Sequence, residues 1–161
     1  MTGIPGGIFK KKWVRVAALA AGTVIIVYAM IYVDVVLRAR SAYLEGEKYW
    51  RWHTHPGEKQ KFLDDRLDKE IKKLREKLSK NKITKEEQDK QEEIAKFNHK
   101  RELEESSIKY AYVWYQTAVE LFSPPESKWV RNSREKLPQA KEMWRQELIK
   151  KGIKVEDYML E

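Results

Sequence analysis

The feature that most constrains this chain is an apolar stretch near its N-terminus, from Val16 to Leu37. A helix of that length rises roughly 33 Å, which is enough to cross a hydrocarbon layer of about 30 Å. Cations stand on both sides of the stretch, and Asp34 is the one charged residue inside it. The stretch therefore predicts a membrane-spanning helix, and we place this transmembrane anchor at residues 13–37.

Two other interpretations compete with a retained anchor. A cleavable signal peptide has an apolar core of about 7–15 residues that ends at small residues. Here the stretch is longer, and charged residues follow it at Arg38 and Arg40. A buried soluble helix is disfavoured because residues 16–33 carry no charge. We expect the anchor to be retained, with Asp34 and Arg38 forming an i,i+4 ion pair near the interface.

The flanking cations also indicate an orientation. Four cations lie between Lys10 and Arg15, whereas the same number is spread over a longer stretch after the span. This density favours a cytoplasmic N-terminus. The rest of the chain would then be exported, to the periplasm of a bacterium or to the intermembrane space of a mitochondrion.

The residues after the span have the composition of solvated helices. Charged residues make up 36% of the chain, which holds only 7 Gly and 5 Pro. The absence of cysteine excludes disulfides, thiolate metal sites and cysteine nucleophiles. Residues 58–105 carry 15 cations and 14 acids, whereas residues 128–154 carry 9 cations and 3 acids. The basic character is therefore concentrated near the C-terminus.

These patterns predict an all-α protein in which one N-terminal transmembrane helix precedes a charged antiparallel hairpin and a small aromatic-rich helical domain. Proline and glycine at positions 56 and 57 predict the first break after the span. The expected segments are a flexible leader at 1–12, the anchor at 13–37, a juxtamembrane helix at 38–56, the hairpin at 57–105 and an aromatic and basic helical module at 106–161.

One face of the first hairpin helix carries five aliphatic residues at spacings of 4, 4, 3 and 4, which is the period of a helix. This leucine stripe consists of Leu63, Leu67, Ile71, Leu74 and Leu78. The second helix begins at Thr84, which forms a predicted capping box with Glu87. Because the facing Gln88 and Gln91 do not match an aliphatic stripe, we predict that the stripe binds a partner helix or a second copy of the chain.

The most aromatic part of the chain beyond the span is 108–122. It is apolar nearly all round, which predicts packing on more than one side. We therefore place it at the centre of the core, with at least one of Trp114 and Tyr115 buried. Farther on, Pro138 is predicted to begin a new helix, and Gly152 is predicted to cap the last one.

About residues 107–137 resemble the tetratricopeptide repeat family. The pattern is an alanine, an aromatic residue four positions on, a second alanine three further on, a nearby proline, and a tryptophan in the next helix. The matching residues are Ala111, Tyr115, Ala118, Pro124 and Trp129. The chain departs from the family at Asn132, where an apolar residue is usual, and at Pro138. The resemblance implies a stacked helical scaffold that binds partner proteins and performs no chemistry.

Motifs that would indicate catalysis are absent from the sequence. It has no Gly-rich phosphate loop, no nucleophile elbow and no HExxH motif. His53 and His55, with His99 farther along, are the one candidate metal cluster. Two histidines two positions apart point to opposite sides of a helix, and no third ligand is adjacent. We therefore expect neither an enzyme nor a bound metal or cofactor.

The resulting prediction is a membrane-anchored scaffold module that binds other proteins without catalysis. The alternative is a small accessory single-span subunit of a respiratory or ATP-synthesising membrane complex. The candidate partner-binding residues are the leucine stripe together with Trp129 and Trp144. Further expected contacts are the bilayer through residues 13–37 and an anionic lipid surface through residues 128–154. Export would keep the chain away from nucleic acid.

Overall fold

The computed structural model describes residues 6–155, and side chains from residue 12 onward. Every regular element in this part of the chain is a helix, so the predicted all-α class is confirmed. The helices are α1 (Gly6–Thr54), α2 (Pro56–Ser79), α3 (Lys85–Glu104), α4 (Ser107–Leu121) and α5 (Lys128–Lys150). The first five residues of the predicted leader and residues 156–161 of the tail lie outside the described residues.

Helix α1 is one continuous helix of 49 residues. It begins at Gly6, inside the segment predicted as a flexible leader, and continues through the apolar stretch without a break. The apolar stretch is exposed except at the half-buried Gly22, Val35 and Val36, and α1 is long and apolar enough to be compatible with one membrane span. At the far end of the stretch, the Arg38 Nε lies 2.8 Å from the Asp34 Oδ2, so the predicted ion pair is confirmed.

The last third of α1 belongs to a three-helix bundle with α4 and α5. Helix α4 runs antiparallel to α1, since Tyr110 stacks on Tyr49 whereas Tyr115, farther along α4, approaches Tyr43. The core of the folded part therefore includes the helix that leaves the apolar stretch.

Helix α5 completes the bundle by running parallel to α1. The Trp129 ring packs against Tyr43, and seven residues later the Lys136 Nζ lies 2.7 Å from the Glu47 Oε1. Since α4 and α5 are antiparallel to each other, the turn that joins them lies at the end of the bundle nearest the apolar stretch.

Helix α4 is the central element because it packs against both α1 and α5. Its N-cap is Ser106, whose Oγ accepts a hydrogen bond from the Lys109 N–H. Tyr115 is completely buried and Trp114 is half-buried, which confirms that at least one of the two rings lies in the core. The buried side chains of α4 are Ser107, Ile108, Ala111, Tyr112, Tyr115 and Ala118.

Small residues on α1 allow α4 to approach closely. Ala39, Ala42 and Gly46 lie on one face at spacings of 3 and 4, and all three are buried. A Cβ atom built on Gly46 would lie 2.5 Å from the Tyr115 ring. The aromatic ring therefore occupies the space that any larger residue at position 46 would need.

Helix α5 corrects the prediction for Pro138, which lies inside a single helix and does not begin a new one. Proline cannot donate a hydrogen bond to the carbonyl four residues earlier, and its ring crowds that turn. Here the proline is exposed, and the buried Ser133 and Ala140 hold the opposite face of the helix in the bundle. Packing on both sides of the proline thus keeps the helix continuous.

The predicted cap at Gly152 is confirmed. Gly152 has a φ of +75°, and its N–H donates to the Ile149 carbonyl at 2.9 Å. The Ile153 N–H donates to the Leu148 carbonyl at 3.0 Å, which completes a Schellman motif. Glycine is favoured there because the left-handed conformation has no Cβ penalty.

Helices α2 and α3 form an antiparallel pair with charged outer faces. Proline occupies the first turn of α2, directly after the break at His55. The predicted capping box between Thr84 and Glu87 is present, with both reciprocal hydrogen bonds formed. The hairpin meets α1 at the start of α2, where Phe62 packs on Trp52, so it is attached to the bundle at its base.

Candidate functional site

The leucine stripe of α2 lies against α3. Leu63 is only 1% exposed and Leu74 is also buried, whereas Leu67, Ile71 and Leu78 are half-buried. The two buried leucines are covered within the chain, so they are not available to a partner. Binding of a partner by the remaining three stays a prediction.

The face of α3 that meets α2 carries small and polar side chains. Gln88 and Ala95 are buried there, and ionic contacts flank them. The His99 Nε2 lies 2.7 Å from the Asp64 Oδ1 across the pair. No second aliphatic stripe therefore faces the leucine stripe. Instead, a small side chain on α3 lets the two helices approach closely enough to cover part of it.

Two large apolar residues of α3 are exposed to solvent. Ile94 is 51% exposed and Phe97 is 66% exposed. Sequence reasoning did not include them among the candidate binding residues. Spacing alone does not give their exposure, because the inward face of α3, which carries Gln88 and Ala95, is selected by packing against α2.

Trp129 and Trp144 lie on different parts of the bundle. Trp129 packs on Tyr43 at the start of α5, whereas Trp144 packs on Tyr112 with ring centres 5.5 Å apart. Fifteen residues of one helix separate them, which corresponds to roughly 22 Å. The two tryptophans therefore do not form one binding surface, and both are half-buried in the core.

Cations surround the Trp129 ring at the end of the bundle nearest the apolar stretch. The Lys128 Nζ lies 4.5 Å from the ring centre, and the Arg40 guanidinium carbon lies 5.7 Å from it. The acid in the preceding turn, Glu126, is paired with Arg134. This corner of the bundle thus combines an aromatic ring with two cations, Arg40 and Lys128, that form no ion pair with a nearby carboxylate of the described residues.

A polar network inside the bundle is centred on Glu47. The Tyr115 hydroxyl donates to the Glu47 Oε1 at 2.6 Å, and Lys136 lies 2.7 Å from the same oxygen. Burial alone would raise the pKa of Glu47, but the hydrogen bonds from Lys136 and Tyr115 lower it below its ordinary value. Burial and the bond to Glu47 raise the pKa of the Tyr115 phenol far above its ordinary value.

These two groups therefore stay in complementary states, an ionised carboxylate and a neutral phenol donor. Their shared hydrogen bond links α1 to α4, and the Lys136 ion pair links α1 to α5. Because each polar group is engaged by the others, the network is a partly buried connection among the three helices.

A cavity of about 380 Å³ lies at the base of the hairpin. The buried Lys59 lies in its wall and donates to the backbone carbonyls of Leu103 and Glu105 at 3.2 and 2.6 Å. Burial lowers the pKa of this amine. A cation at the C-terminal end of α3 satisfies carbonyls that the helix leaves free and complements its dipole. The other residues that line the cavity are Tyr49, Trp52, Leu63, Arg101, Glu102, Glu105 and Tyr110.

The histidines predicted as the one metal candidate do not come together with a third ligand. His55 Nδ1 contacts the Thr54 hydroxyl at 2.9 Å, and His99 pairs with Asp64. Within residues 6–155, no group of three metal-ligating side chains is present.

Comparison with known proteins gives no relative. No family model, no curated protein and no solved structure matches the chain. The resemblance to tetratricopeptide hairpins therefore stays an expectation from the residues quoted for it.

Proposed function

We propose that this chain is a membrane-anchored, non-catalytic scaffold module that presents its hairpin to other proteins. The observation that carries the proposal is the continuity of α1, which passes from the apolar stretch into the core of the bundle without a linker. An anchor joined to a folded body in this way holds that body at a fixed height and angle relative to the bilayer.

The same continuity favours a retained anchor over a cleaved signal sequence. Ala39 and Ala42, the small residues that follow the stretch, are helical and buried against the rest of the chain. Cleavage near them would remove a wall of the core. The cations before the stretch favour a cytoplasmic N-terminus, with the bundle and the hairpin on the opposite side of the membrane.

The outer face of α3 is the surface that we propose for partner binding. Ile94 and Phe97 lie one turn apart, so together they present an apolar knob on an otherwise charged helix. A partner helix with an apolar seam would cover both side chains, and surrounding charges would set its register. The half-buried Leu67, Ile71 and Leu78 of α2 form a second and smaller contact for such a partner.

The absence of catalysis is part of the proposal. The pKa of Glu47 is lowered and that of Tyr115 is raised, and the two groups are engaged with each other through the hydrogen bond that the phenol donates to the carboxylate. The amine of Lys59 is engaged by helix carbonyls. Groups held in this way support a structural role for both sites.

The test compares two pairs of substitutions on α3. The protein is extracted from its native membrane in mild detergent, and its mass is measured by native mass spectrometry. Ile94→Gln with Phe97→Gln removes the knob, whereas Glu93→Gln with Lys100→Gln is a control at two other exposed positions of the same helix. We expect the wild type and the control to have a mass above the 19.2 kDa chain, and the knob variant to be a single chain.

The outcome separates the alternatives. Added mass in multiples of 19.2 kDa indicates self-association, and one small extra chain indicates a dedicated partner. A large assembly with many different chains supports an accessory subunit of a membrane complex. A single wild-type chain, or equal loss of mass in both variants with unchanged circular dichroism, refutes partner binding through α3.

A further inference from the structure

The continuous α1 helix fixes how far each part of the bundle lies from the bilayer. We take Leu37 as the edge of the hydrocarbon layer, and each later residue adds about 1.5 Å. Gly46, which contacts Tyr115, is nine residues farther and so lies about 14 Å above that edge. These heights are counted from the end of the proposed transmembrane anchor, so this inference rests on the proposed function.

Helix α4 returns from that height toward the membrane. Leu121 is six residues beyond Tyr115 on a helix antiparallel to α1, so it lies about 9 Å lower, roughly 5 Å above the hydrocarbon edge. The headgroup layer on each side of a bilayer is about 5–7 Å thick. Leu121 is nevertheless 70% exposed, which leaves a large aliphatic side chain uncovered at this depth.

Other helices pack against α1 down to the height of Leu121. Ala39, two residues beyond Leu37, is completely buried. The end of α4 and the turn that follows it are the parts of the bundle that reach this height. The folded body therefore extends to the membrane boundary, with no gap that a flexible linker would occupy.

The cations around Trp129 lie at a similar height. Tyr43, which packs on Trp129, is about 9 Å above the hydrocarbon edge, and Arg40 is about 5 Å above it. Neither Arg40 nor Lys128 has a carboxylate partner among the residues that the structure describes. Their long side chains can reach lipid phosphates, while the indole prefers the interface.

We propose that the turn between α4 and α5 docks on the bilayer that α1 crosses, with Leu121 inserted into the headgroup layer and with Arg40 and Lys128 binding the phosphates of anionic lipids beside Trp129. Charge complementarity and continuity with the span select a lipid surface as the occupant. The bundle would then contact the membrane at two points, which fixes its tilt as well as its height.

The chain contains no cysteine, so single cysteines can carry a fluorescent label without background. An environment-sensitive dye is placed at Leu121→Cys in the full-length protein, reconstituted in nanodiscs that contain phosphatidylglycerol and lipids with headgroup-level spin-label quenchers. The matched control is Ile149→Cys, an exposed aliphatic at the far end of α5. We expect strong quenching at position 121 and none at 149.

A third label, Val24→Cys, tests the anchor separately, since Val24 is exposed within the apolar stretch. Quenching of a Val24 label by acyl-chain quenchers without any quenching at 121 overturns the docking and leaves the anchor intact. No quenching at Val24 overturns the anchor itself, and the docking with it. A label at 121 that is shielded from both lipid quenchers and aqueous iodide shows that a protein covers the turn, which also overturns the proposal.

The lipid preference is tested with charge-removing pairs. Arg40→Gln with Lys128→Gln should lower the preference of the purified protein for phosphatidylglycerol over phosphatidylcholine about thirtyfold in native mass spectrometry, because each cation near an anionic surface contributes about fivefold. The control removes two cations at the other end, Lys150→Gln with Lys154→Gln, and should leave the preference nearly unchanged. Equal losses in both pairs, or no preference in the wild type, overturn a specific anionic-lipid site.

Discussion

The close approach of α1 and α4 makes Gly46 the position whose substitution tests the bundle most directly. An added Cβ at this glycine would lie 2.5 Å from Cε1 and 2.7 Å from Cδ1 of the Tyr115 ring. The ring has little room to move, since its hydroxyl is bonded to Glu47 and the tilted rings of Tyr43 and Trp50 pack against it. Gly46→Ala must therefore displace a helix or break that hydrogen bond.

Two opposing terms set the magnitude of the effect. Replacing glycine with alanine inside a helix stabilises it by about 0.5–1 kcal/mol. Adding a methyl group to a packed core costs about 1–3 kcal/mol. The displacement outweighs the helix preference, so we expect a net loss of about 1–2 kcal/mol. For a chain of this size such a loss lowers the melting temperature by about 2–8 °C.

The assay is thermal unfolding of the full-length protein in detergent, followed by circular dichroism. Gly57→Ala is the matched control, because a Cβ at that helical glycine meets nothing within 4 Å, and it should be neutral or stabilising. Tyr115→Leu should abolish the penalty of Gly46→Ala when the two are combined. The reasoning is refuted if Gly46→Ala alone melts at or above the wild-type temperature, or if its penalty persists without the ring.

Two further predictions concern the hairpin and the polar network. Leu63→Ala should cost about 2–4 kcal/mol in urea unfolding, whereas Phe97→Ala should change stability by less than about 0.5, since the first side chain is buried and the second is 66% exposed; similar losses at both positions would contradict this assignment. The pKa of Glu47 in the folded chain lies below its ordinary value of 4.5, so on acidification the carboxylate is protonated in the unfolded chain first. The stability that this group contributes therefore falls as the pH drops below about 4.5. The stability advantage of the wild type over Glu47→Gln should therefore be constant from pH 5 to 7 and shrink at lower pH, and an advantage that grows on acidification would disprove it.

The helix ends could be predicted because their causes are local. Proline and glycine at positions 56 and 57, the Thr84 capping box and the glycine at 152 each act through backbone atoms within a few residues. The central place of α4 could be predicted from its own residues, since a helix that is apolar nearly all round packs on more than one side. None of these features depends on knowing which helix packs against which.

The features of the structure that the sequence did not reveal depend on packing between distant segments. Pro138 breaks an isolated helix, but the bundle holds α5 on both sides of it. The leucine stripe suggested an uncovered surface because α3 lacks aliphatic partners, yet a small residue such as Ala95 lets α3 cover part of it by approaching closely. The exposed Phe97 was overlooked for the same reason, since the face that α3 turns inward is chosen by α2.

The role of α1 explains why the segments seen in the sequence combine as they do. The α4–α5 pair carries aromatic residues on more than one face, so a third helix is needed to bury them. The continuation of α1 beyond the apolar stretch supplies that helix through Ala42 and Gly46. Seventeen residues separate Leu37 from Thr54, so the base of the hairpin lies about 26 Å from the hydrocarbon edge under the proposed topology. A linker would let that distance vary, whereas a helix shared by the span and the core holds it constant. A partner that binds the hairpin must therefore present its own surface at that height, which favours a partner that is itself fixed to the same membrane.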